Sequence, residues 1–182
     1  MTHETPHRNL LLMHLIVLNA VVVAVLAWAY ADGRLQWLFS FETTGIGYGL
    51  CAVTVLAIVG IFRWAKRVSA DYDRVKSGTL VDTRRTLIKI GYISAIGKNV
   101  MFAGLWANSF GILLALSLLL LTTPETILPS VAGMIMGMKV AFANALISIP
   151  LFMLVAENFR VLVVAIRLLA IEADDLKAKI NG

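Results

Sequence analysis

Lys139, Asn144 and Ser148 lie within one apolar stretch, Pro129–Arg160, and Asn108 lies within another, Val100–Leu121. These side chains can do little covalent chemistry unaided, but in hydrocarbon they can hydrogen-bond, gate an ion or clamp helices together. Charged and amide groups are costly in a bilayer, so the default expectation is that they face protein or a pathway. Each stretch also carries small residues four apart: Ala103, Ala107, Gly111 and Ala115 in the first, Gly133, Gly137, Ala141 and Ala145 in the second. That spacing draws a stripe along one helix face and lets a second helix approach closely. Asn144 and Ser148 fall on the side of the second stripe, whereas Lys139 lies about 140° round the helix from Asn144. Pro150 removes a backbone donor, so it should bend this helix or leave a carbonyl free.

Depth follows from the helical rise. Asn108, ten residues past Lys98, sits about 15 Å from that charged boundary, and Asn144, thirteen residues before Glu157, sits about 20 Å from its own. The two asparagines are therefore expected at similar depth, with Lys139 about 7 Å nearer the opposite face.

The elements that must hold these residues are membrane helices. Hydrophobic residues make up 59% of the 182, above the roughly 45–50% of soluble domains. Four windows are long enough to cross a bilayer, Leu10–Ala29, Gly45–Phe62, Val100–Leu121 and about Leu128 to Ala156. The fold class expected is an all-α integral membrane protein: four transmembrane helices, a short cytoplasmic helical hairpin and a long C-terminal helix continuing into the cytoplasm. In segments, this gives a cytoplasmic N-terminal tail (1–9), a first transmembrane pair (10–62), a basic helical segment (63–98), a pore-type pair (99–160) and a C-terminal helix (161–182).

Charge sets the orientation. Arg63, Lys66, Arg67, Arg74, Lys76, Arg84, Arg85, Lys89 and Lys98 crowd the middle segment, while the Tyr30–Thr44 and Thr122–Ile127 connections hold only Arg34. The positive-inside rule then makes the basic segment and both termini cytoplasmic. The net charge of +5 reads as topology and lipid contact, not nucleic-acid binding. The first apolar window is too long for a signal-peptide core and is expected to be a true span.

Smaller features have plain readings. Cys51 is the single cysteine, which excludes an intramolecular disulfide and makes a small apolar span residue its expected role. His14 and Asn19, five apart, point to different faces, and His14 is read as an interhelical hydrogen bonder ahead of a proton relay. Trp28, Tyr30 and Trp37 suit interfacial anchors. Gly45, Gly47 and Gly49 suggest loosening or close packing, Leu116–Leu121 a lipid-facing run. Ser77–Gly78 should end the second helix, and Asp82 or Thr83 should cap the next.

No catalytic constellation is legible: no Ser/His/Asp grouping shares a membrane depth, and no glycine loop has a phosphate-binding form. Neither a cofactor nor a metal is expected, and the chain is not expected to be an enzyme.

The second half resembles the MotA/TolQ/ExbB proton-channel family of motor stator-type membrane subunits. Gly104-Leu105-Trp106-Ala107-Asn108-Ser109-Phe110-Gly111-Ile112 is similar at both ends to a family pattern G-L-x-G-T-x-x-G-I. Ala143-Asn144-Ala145-Leu146 with Ile149-Pro150 resembles A-T-A-L-G followed by I-P, the proline arriving about three residues early. The resemblance covers 98–160 and extends to the first half by topology only. It implies a homopentamer around a single-span ExbD/TolR/MotB-like partner whose membrane aspartate carries the ion. Asn108 and Asn144 stand where the family has pore threonines, and Lys139 stands where one branch has glutamate.

A ring of lysines would oppose cation passage, unless an acidic group neutralises Lys139 or burial removes its charge. Three roles follow: an ion-driven motor subunit, driven most simply by protons, with Asn108, Asn144, Lys139 and Ser148 facing pore or partner; a non-conducting helical scaffold; or a small stand-alone channel or transporter.

Overall fold

A computed structural model describes residues 6–41, 45–120 and 127–181. Residues 1–5 of the expected tail, the 122–126 connection and the end of the leucine run lie outside the described residues or side chains. The chain forms α1 (Pro6–Ala31), α2 (Arg34–Ser40), α3 (Ile46–Lys76), α4 (Thr83–Leu120) and α5 (Ile127–Asn181). Four of these, all but α2, are long and apolar enough to cross a membrane.

Local chemistry sets the helix boundaries. Pro6 opens α1, where its missing N–H breaks no helical bond. Gly33 turns the chain with φ 76°, and its carbonyl accepts from Trp37 N–H at 2.9 Å to start α2. This short helix occupies what the sequence suggests is a plain loop. At the far end of α3, Thr79 N–H reaches Arg74 O at 2.9 Å and Gly78 N–H reaches Val75 O at 3.0 Å, with Gly78 at φ 85°. That is a Schellman closure, and it needs a residue free of a Cβ in the left-handed region. Asp82 Oδ1 then accepts from Arg85 N–H at 3.0 Å and caps α4. α5 runs unbroken for 55 residues through Pro150. Proline has no N–H, so the Leu146 carbonyl lacks its usual helical donor.

The helices contribute to two compact units. One comprises residues up to Val23, Val55–Ile96 and the chain from Leu154; the other comprises Ala24–Thr54 and Gly97–Met153.

The first unit is built on large aliphatics. Leu15, Ile61, Ile90, Ile93, Leu162 and Ile166 are completely buried in one cluster. Tyr72 belongs to it, and its hydroxyl donates to Ala165 O at 3.1 Å. α1 joins along a narrow seam of Leu11, Leu15 and Asn19, four residues apart, while Met13, Ile16, Val17 and Val21 are exposed. Asn19 Nδ2 donates both to its own Leu15 O at 2.7 Å and to Asn158 Oδ1 at 2.6 Å. Asn158 Nδ2 in turn donates to Leu154 O at 2.8 Å. The pair is thus an amide clamp between α1 and α5.

The second unit is built on small residues. Its buried positions include Gly104, Ala107, Gly111 and Ala115 on α4, and Gly137, Ala141, Asn144 and Ser148 on α5.

Candidate functional site: the seam between α4 and α5

Glycine and alanine allow the two backbones of this seam to touch. A Cβ built on Gly111 would lie 3.0 Å from both the Ala141 Cβ and the Gly137 carbonyl oxygen. One on Gly137 would lie 3.0 Å from the Ala115 Cβ and from the Gly111 carbonyl oxygen. The closest approach is at Gly104, where an added Cβ would fall 2.0 Å from the Ser148 Cβ. Such a position admits only glycine while Ser148 faces it.

The pairs Gly104–Ser148, Gly111–Ala141 and Ala115–Gly137 share one antiparallel register: each step forward on α4 matches one step back on α5. The same register puts Asn108 level with Asn144, and Leu113 level with Lys139.

The expected site residues separate into three environments. Asn144 and Ser148 are completely buried. Ser148 Oγ makes a long contact to Ala145 O at 3.4 Å, and neither Nδ2 nor Oδ1 of Asn144 has a hydrogen-bond partner. Asn108 is half-buried and lines a groove of about 310 Å³ whose walls include Met134, Met138, Ala141 and Phe142. Lys139 is exposed, and its Nζ stands 5.2 Å from the centre of the Phe41 ring. Phe41 in turn meets Trp37 edge-on at 4.8 Å. Lys139 therefore turns its charge toward aromatic rings at the end of α2, where a cation meets the negative face of a π-system.

Ala107, Gly111, Ala115, Gly137 and Ala141 are buried as a packing stripe requires, Gly133 and Ala145 are half-buried, and Pro150 is exposed. Ala103 is exposed, and its neighbour Gly104 takes the place in the seam. A 3.6-residue period lets a four-residue stripe drift by one position over two turns, and Gly104 is the smaller residue. That was the available signal.

The Asn19–Asn158 clamp was not anticipated either. Its signal was a pair of amides on two apolar helices, obscured because Asn158 stands between Glu157 and Phe159 at the end of the apolar run.

The seam itself holds no side chain that titrates near neutrality. It can offer amide and hydroxyl hydrogen bonds and a smooth, close-packed wall. Comparison with protein-family models, with curated proteins and with solved structures gives no match.

Proposed function

We propose that the chain is a non-enzymatic subunit of an ion-driven membrane motor of the MotA/TolQ/ExbB type. It would sit in a bacterial inner membrane with both termini cytoplasmic, and would oligomerise, by family resemblance as a pentamer, around a single-span acidic partner. The observation that carries this reading is the level pairing of Asn108 and Asn144 on two backbone-close helices. It would set two amides at one depth of the bilayer, with Asn108 open to a groove on the outside of the pair. In this role Asn108 presents hydrogen bonds to the partner helix, while the glycine–alanine seam behind it keeps the wall rigid. The ion-carrying carboxylate is the partner's.

The test is coexpression with neighbouring reading frames, purification, and cryo-EM projection down the membrane normal. A closed ring enclosing one or two central helices is expected. A monomer that recruits no single-span acidic protein would overturn the proposal.

A non-conducting scaffold is the second reading. It is favoured by the complete burial of Asn144 inside the chain's own packing and by the engagement of Lys139 with Phe41. The groove-facing Asn108→Ala separates the two: a motor subunit keeps its assembly and loses function, whereas a scaffold loses assembly. Ion flux from the isolated protein in liposomes would instead point to a stand-alone channel.

A further inference from the structure

Trp106 is 78% exposed, more than either Trp28 or Trp37. It follows Lys98 by eight residues, which sets it about 12 Å from that charged boundary. A tryptophan favours the membrane–water interface, where its N–H meets water. At this depth hydrocarbon offers no acceptor, and the indole N–H of Trp106 makes no hydrogen bond among the described residues.

A matching acceptor is orphaned on α5. Pro150 has no N–H, so the Leu146 carbonyl lacks its helical donor, and both residues are exposed. The register that pairs Gly104 with Ser148 and Gly111 with Ala141 makes Trp106 level with Leu146. Directions agree as well. Helical side chains lean toward the N-terminus and carbonyls point toward the C-terminus, which in antiparallel helices is one direction. Within one chain the two groups cannot meet: Trp106 lies about 160° round α4 from Gly104, and Leu146 about 160° round α5 from Asn144, so each turns away from the seam. Each is the centre of an exposed row four residues apart, Phe102, Trp106 and Phe110 on α4, and Phe142, Leu146 and Pro150 on α5.

We propose that these rows are the two halves of a contact between copies of this chain. The α4 row of one copy packs against the α5 row of the next, and the Trp106 indole N–H donates to the Leu146 carbonyl oxygen. Copies related by rotation about the bilayer normal keep every residue at its depth, so the two groups stay level. A lipid tail would leave both unsatisfied. Because the two surfaces differ, the contact runs head-to-tail, and repeating it about that axis closes a ring. It rests on the oligomeric part of the function proposed above and not on ion flow.

Oxidative cross-linking of the full chain in native membranes tests this, in a Cys51→Ala background. Phe110 is level with Phe142 in the same register. Within one chain the two stand apart, since Phe142 borders the Asn108 groove while Phe110 lies about 160° round α4 from Asn108. Phe110→Cys with Phe142→Cys should therefore give a ladder of covalent multimers, and either substitution alone should give none. Trp106→Phe keeps an aromatic ring and removes the N–H, while Pro150→Ala returns a helical donor to Leu146. Each should weaken association in detergent about fivefold, and the two together no more than either alone. No ladder from the double-cysteine protein, a dimer from either single-cysteine protein, or losses that add would overturn the contact; a ring seen by cryo-EM in the same preparation would leave the motor reading standing. A cross-linked ring that takes up no single-span acidic protein would support the contact and overturn the motor reading.

Discussion

Two asparagines on α5, about four helical turns apart, are buried to the same extent and treated oppositely. Asn158 is held by Asn19 and by its own helix, whereas Asn144 has no partner for either amide atom. Around Asn158 the packing is leucine, isoleucine and valine; around Asn144 it is glycine, alanine and serine. The first unit gains cohesion by filling space with large side chains. The second gains it by removing side chains until backbones meet. A polar group is matched in the first because another helix supplies an amide, and Asn144 is left unmatched in the second, where Asn108, level with it in the register, lines the neighbouring groove instead.

The contrast is broken most forcefully by opposite changes in size. Leu162→Ala, at a completely buried position, should cost about 2–5 kcal/mol in reversible unfolding from detergent micelles. Gly104→Leu should cost about 3 kcal/mol, the upper end for overpacking, because its Cβ alone would meet Ser148 at 2.0 Å. Swapping the logic should fail to harm: Gly104→Ala with Ser148→Gly should recover most of what Gly104→Ala alone loses. A Gly104→Leu protein as stable as wild type would dismiss the backbone-contact account of the seam.

Next in size are Gly111→Ala and Gly137→Ala, each meeting backbone at 3.0 Å and expected to lose about 1–2 kcal/mol by the same assay. The asparagines sharpen the comparison through sign. Asn158→Leu should lose about 1–2 kcal/mol, since it strands one donor of Asn19. Asn144→Leu should be neutral or stabilising, since it removes two unpaired polar atoms of a similar-sized side chain. Equal losses at both sites would mean that Asn144 has found a partner. Smallest is Lys139, where a double-mutant cycle of Lys139→Met with Phe41→Leu should give a coupling of about 0.5–1 kcal/mol.

Much of the fold is written in local chemistry. The four long helices, the glycine stop at Gly78 and the Asp82 cap depend on short windows, so composition and spacing suffice to place them. The candidate site is legible in part. The small-residue stripes and the similar depth of Asn108 and Asn144 are expectations of helical periodicity; in the packed register the two asparagines are level, and the α4 stripe runs through Gly104 in place of Ala103. What periodicity does not carry is which of two adjacent residues faces the neighbour, and so Gly104 replaces Ala103. Nor does it carry contacts between distant segments. Lys139 and Phe41 meet only because tertiary packing brings α2 beside α5, and Asn19 finds Asn158 by the same means. α2 escapes detection because seven residues with Trp37 and Phe39 among them resemble an interfacial aromatic loop.

The seam of α1 has a bearing on how the protein is made. In the first unit the described side chains of that helix pack chiefly through Leu11, Leu12, Leu15 and the Asn19 amide, with much of its remaining described surface open. It precedes α5 in the chain, so the amide that anchors it, Asn158, is synthesised later. During synthesis α1 must therefore wait in the bilayer as an independent helix, with its Asn19 amide satisfied only by the backbone of its own preceding turn. Its apolar sequence makes that waiting tolerable, and its lock closes only when α5 arrives.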